Sequence, residues 1–155
     1  MNEQEIIVGK KRYVFDSALD ELAKQVIEKN AMEDMDKPRI TYMKVYPNVT
    51  KTVAGRCIRA SDTLKIFSDC DYIIQMSGDL WDKLNASARE VLMHHELLHV
   101  AVKYDKDGNE KFLLRKHDIE DFAEIVGQYG INWLHDLRNE AAVINPNVDV
   151  LKIRI

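Results

Sequence analysis

The stretch Arg89-Glu90-Val91-Leu92-Met93-His94-His95-Glu96-Leu97-Leu98-His99-Val100 decides how this chain is read. Its residues favour helix, and a start between Asn85 and Ser87 is marked by Ser87 and Glu90, which stand at capping-box spacing. The helix is expected to continue through Val100-Ala101-Val102. Inside it, His95 and His99 are four residues apart, so their rings lie on one face about one turn apart and can each offer a nitrogen to one ion. Glu96 is rotated by about 100° from His95, and its longer side chain can reach a water beside that ion. Two histidines and a glutamate in this HExxH order match a Zn2+ site with a general base. Zinc accepts imidazole ligands and distorted geometry, lowers the pKa of bound water to roughly 7 and polarises a carbonyl. Glu96 would take the proton and pass it to a leaving amine, which amounts to hydrolysis of an amide bond.

A catalytic zinc needs a third protein ligand and one position for water. The other histidines are His94, His117 and His135. His94 points away if His95 faces the metal, which leaves it an outer or surface role. His117 is the leading third ligand: it follows an expected hairpin that can return the chain beside the helix, and its neighbour Asp118 can cap a helix behind it. Asp118, Glu120 and His135 remain as alternatives, and Asp118 or Glu120 could instead orient an imidazole. Tyr104 reads first as a packing residue and second as a donor to a developing oxyanion. Trp81 and Trp133 read as core anchors.

Outward from that stretch, helical spacing of Leu19, Leu22, Ala23, Val26 and Ile27 predicts a first element, a helix from Ser17 to Asn30 with Ser17 and Asp20 as its capping box. Strands are expected at Ile40 to Tyr46, Thr52 to Arg59, Thr63 to Phe67 and Tyr72 to Met76. They would form a small sheet, with Tyr72 to Met76 as either a core strand or an edge along which substrate could pair. Beyond Tyr104, the run Asp105-Lys106-Asp107-Gly108-Asn109-Glu110 reads as the turn of a hairpin. A helix from Asp118 to Tyr129 and a shorter one around Asn132 to Glu140 would close the domain.

A chain of 155 residues with no repeat and no Gly/Ser- or Pro-rich linker reads as a single domain, 1–155. Its formal charge of −4 supplies no positive field, so no nucleic-acid or anionic membrane partner is expected. Cys57 and Cys70 are too few and too far apart for a disulfide framework or a zinc ribbon, and read as buried or neutral thiols. The N-terminal residues lack a basic signal-peptide region and no apolar run reaches membrane-spanning length, so a cytoplasmic location is expected.

At DYIIQMSGDLWDKL (71–84), REVLMHHELLHV (89–100), the following Asp-Gly turn and LLRKHDIEDFAEIVGQYG (113–130), the chain resembles the phage metallopeptidase family, a small HExxH group near the SprT-like and minimal gluzincin peptidases. The resemblance covers roughly residues 15–138. It implies an α+β, minimal zincin-like fold: an N-terminal helix, a sheet of three to four strands, the HExxH active-site helix and a C-terminal ligand-bearing helix. It also implies that the histidine of the HDxxDF-like string, here His117, is the third zinc ligand, and that the substrate is a protein or peptide. With no zinc ribbon or DNA-binding tail read in the sequence, the nucleic-acid binding of the crosslink-repair relatives is not expected to carry over. From another class, the fold could serve as a metal-stabilised binding or regulatory module directed at a host or repressor protein, with little general proteolysis. Loss of Glu96 would favour that reading, and Glu96 is present.

Overall fold

The computed structural model describes residues 3–117, 125 and 128. The chain begins with a β-hairpin, β1 (Glu3–Val8) and β2 (Lys11–Asp16), joined by the two residues Gly9 and Lys10. Gly9 has φ +60°, as the first central residue of a two-residue hairpin turn of the II′ kind requires. The expected first element was a helix, and this hairpin is a correction to it. Its sequence gave little sign of a strand: Ile6, Ile7 and Val8 are all more than half exposed, so no alternation of buried and solvated positions was there to be read.

Helix α1 (Ser17–Lys29) follows at once and buries Leu19, Ala23 and Val26, which lie on one face. Its cap is Asp16 rather than Ser17, the Asp16 carboxylate accepting from the Ala18 N–H at 2.9 Å. Strand β3 (Ile40–Tyr46) has the expected bounds. Strand β4 is shorter than expected, Gly55–Arg59. Thr63 to Phe67 is not a strand: it falls in helix α2 (Asp62–Phe67), because the Ser61 hydroxyl accepts from the Leu64 N–H at 3.1 Å and caps the turn. Strand β5 (Tyr72–Ser77) leads into α3 (Gly78–Lys83), which had no counterpart in the sequence reading. There Gly78 is needed for space, since a Cβ at that position would lie 2.6 Å from the Tyr46 ring.

The strands form a five-stranded mixed sheet in the order β1-β2-β3-β5-β4, with β3 and β5 parallel and the other pairs antiparallel. Five strands replace the expected three to four. Strand β5 lies inside the sheet, so it is no edge along which substrate could pair. Among the described residues the edge beside it is β4. Tyr72, Ile74 and Met76 of β5 point into the main core with α1 and α4, while Ile73 packs on a small cluster of Met43, Val45 and Val49 on the other face.

Helix α4 (Ala86–Leu98) is capped by Asn85, whose side chain accepts from the Ala88 N–H at 2.8 Å. Every residue from Val91 to Leu98 is buried. The helix stops at His99, and Val100–Tyr104 is strand β6, not further helix as expected; it pairs with β7 (Glu110–Leu114) in the anticipated hairpin. In its turn the Asp105 carboxylate accepts from the N–H groups of Asp107 and Asn109. Of the helix expected over Asp118 to Tyr129 only Ile125 and Gln128 are described, and both are helical. The helix around Asn132 to Glu140 lies outside the described residues, as do Trp133 and His135. No helix among the described residues is long and apolar enough to cross a membrane.

Candidate metal centre

Two parts of the chain bring the site together. Helix α4 carries His95 and Glu96 in its last turn, His99 is its C-cap, and His117 lies three residues past the end of β7. One ring nitrogen from each histidine lies within 4.8 Å of the others. His95 Nε2 is 3.0 Å from His117 Nε2, and His117 Nε2 is 3.1 Å from His99 Nε2. The three rings meet at steep angles, with centroids 4.7–5.2 Å apart, so they converge edge-first and do not stack.

The tautomer of His99 follows from its other nitrogen. His99 Nδ1 lies 2.7 Å from the Arg115 carbonyl oxygen, which can only accept, so Nδ1 carries the proton and Nε2 presents a lone pair to the cluster. Three imidazole nitrogens brought this close suit coordination of one cation. Two imidazole nitrogens bound at about 2.0–2.1 Å to one tetrahedral ion sit roughly 3.3 Å apart, close to the separations found here. Burial lowers the His99 pKa to about 4, with the neighbouring rings adding to the effect, so the ring is neutral and available as a ligand at ordinary pH. The residues therefore fit a divalent metal ion.

Glu96 and His95 are both fully buried, and Glu96 Oε1 is 3.9 Å from His95 Nε2. Strand β4 passes close by: the Cβ position of Gly55 is 3.5 Å from Glu96 Cγ. Cys57, two residues along, has its thiol pushed well up by burial and by the Glu96 charge, so it is a neutral half-buried group, as expected for both cysteines. His94 is not a surface group. It is buried and lines a cleft of about 340 Å³ with Met32, Met35, Leu98 and Arg115.

Other candidates stand apart. Tyr104 ends β6, five residues beyond His99 and so roughly 16 Å along the strand. It is half exposed and its hydroxyl donates to Asp34 Oδ1 at 3.1 Å, so the structure does not bring it to the histidines. Trp81 is a core anchor, as expected. Asp118, Glu120 and His135 lie outside the described residues. Two groups escaped the sequence reading. One is the backbone of Arg115, whose N–H donates to the His99 carbonyl at 2.7 Å while its carbonyl holds the His99 ring. The other is the Tyr72 hydroxyl, which donates to the Leu113 carbonyl at 2.7 Å and lies 3.3 Å from that of Ala101. Burial pushes the Tyr72 phenol up to about 12, so it stays a donor. A backbone carbonyl leaves no mark in sequence, and Tyr72 looked like any aromatic in a strand.

Among curated proteins and among solved structures nothing matches this chain. A family model does, over residues 11–142, under the description "Putative phage metallopeptidase". That span includes β2, the whole of the large sheet but β1, helix α4 and all three converging histidines, and by it the chain belongs to the phage metallopeptidase family.

Proposed function

We propose that this protein is a zinc-dependent peptidase built as a single zincin-like domain, in which His95, His99 and His117 hold Zn2+ and Glu96 is the general base. The observation that carries the reading is the convergence of three histidine Nε2 atoms at 3.0–3.1 Å contacts, one of them fixed as a lone-pair donor by the Arg115 carbonyl. Zinc held there would supply Lewis-acid chemistry, acidifying water and polarising the scissile carbonyl. Glu96, on the same helical turn as His95, accepts a proton on its carboxylate and delivers it to the leaving amine nitrogen. Its burial among core residues keeps that proton exchange away from bulk water. An extended peptide pairing on the outer edge of β4 would run past Glu96, which suits a protein or peptide substrate.

The test is to incubate zinc-loaded wild type and Glu96→Gln with a pool of peptides from a digested proteome and to read new termini by mass spectrometry. New termini from wild type, reduced by about 10²-fold or more in Glu96→Gln, are expected. Equal cleavage by Glu96→Gln would remove Glu96 from the chemistry. A zinc-loaded wild type that cuts nothing would replace the peptidase reading with that of a metal-stabilised binding module.

A further inference from the structure

The large sheet and the hairpin that delivers His117 are separate sheets: β6 and β7 pair with each other and share no ladder with the five strands. A two-stranded hairpin is marginal alone and has to be fixed by contacts outside itself. Apolar packing, such as Tyr72 on Phe112 with ring centroids 6.2 Å apart, resists separation but tolerates sliding. Polar contacts set position. The Arg59 guanidinium reaches the Phe112 carbonyl only at 3.5 Å, from an exposed side chain. The Tyr72 hydroxyl is different: its ring is fully buried at the start of the interior strand β5, and it touches a carbonyl on each strand of the hairpin, Leu113 at 2.7 Å and Ala101 at 3.3 Å.

From this geometry we infer that Tyr72 is a positioning residue for the metal centre, holding the β6–β7 hairpin so that His117 meets His95 and His99. The inference rests on the three-histidine metal site proposed above. The linkage runs through a few residues. Tyr72 fixes Leu113, and Arg115, two residues on, is bonded to His99 in both directions, N–H to carbonyl and carbonyl to Nδ1, each at 2.7 Å. His117 follows after two more residues. Ligand constellations tolerate displacements of only about 0.5 Å, so a hairpin free to slide would spoil the convergence of the three nitrogens while leaving the core intact.

Tyr72→Phe removes the hydroxyl and keeps the ring against Phe112. Zinc affinity, measured by competition with a chelator, and the visible spectrum of the cobalt-substituted protein are read for wild type, Tyr72→Phe and Ile74→Val. The last is a control in the same strand, trimming a fully buried side chain of the same core that carries no polar group to bond the hairpin carbonyls. Affinity for zinc falls about 10- to 100-fold in Tyr72→Phe, the range typical of outer partners of metal ligands, and its cobalt spectrum changes. Ile74→Val keeps both at wild-type values. Wild-type affinity and spectrum in Tyr72→Phe, or an equal loss in Ile74→Val, would overturn the inference. A wild type that binds no zinc at all would overturn the metal reading beneath it.

Discussion

Truncating Leu97 to alanine probes the packing that holds the metal helix in place. Leu97 lies between His95 and His99 in the sequence, has no exposed surface and belongs to the main core with Tyr72, Ile74, Met76 and Leu92. That cluster draws on α1, the sheet and α4 itself, so collapse around the vacated space is restricted and the cavity cost adds to the lost transfer energy. Leu→Ala changes in such settings cost about 3–4 kcal/mol, a large part of the 5–15 kcal/mol that stabilises a typical domain. For a chain of this length each kcal/mol corresponds to roughly 2–4 °C in Tm, so the melting temperature should fall by about 6–16 °C. Urea unfolding with chelator present reads the effect on the metal-free protein, and an unchanged m-value shows that the surface exposed on unfolding is the same. Ile66→Ala is the comparison: at 77% exposure its removal should stay within about 0.5 kcal/mol. Equal losses at the two positions, or a loss below about 1 kcal/mol at Leu97, would refute this account of the core.

Two further outcomes follow from local geometry. Gly78→Ala should destabilise by about 1–3 kcal/mol, because the added Cβ lies 2.6 Å from a Tyr46 ring that cannot readily move. Arg12 sits 4.2 Å over that ring and the Tyr46 hydroxyl donates to Asp82 at 2.6 Å, so a thermal melt matching wild type would mean the ring yields after all. Acid should weaken the metal-free protein through His99. Its folded pKa of about 4 lies below the ordinary 6.5, so the unfolded chain binds the proton more readily. The stability of the neutral buried ring is therefore fully present above about pH 6.5 and lost as pH falls toward 4. Urea midpoints across that window should drop more steeply for wild type than for His99→Gln, and parallel curves would remove His99 as the cause.

What could be read from the sequence was local. Strand β3 showed alternation with a Pro-Asn stop, and α1 showed three buried residues on one face. The β6–β7 hairpin had a turn with a Gly at φ +81°. The HExxH spacing followed from helix geometry alone, and His117 was singled out by its place after the hairpin. Misreadings arose where a local preference met a stronger partner. The β-favouring residues Thr63, Ile66 and Phe67 yielded to the Ser61 cap. The apolar Val100-Ala101-Val102 left the helix because β7 offered a ladder and Arg115 bonded the His99 carbonyl. The interior position of β5 depends on pairing with β3, some 30 residues away, and the tether from Tyr72 to Leu113 spans 41. No window of sequence contains either partner set.

The central claim is that three histidines hold one metal ion and that Glu96 is not among its ligands. The most direct measurement is zinc content by mass spectrometry, after reconstitution and desalting, of wild type, Glu96→Gln and His117→Ala. Wild type and Glu96→Gln should each retain about one zinc per chain, while His117→Ala loses it. Retention of zinc by His117→Ala, or a wild type that holds none, would contradict the account.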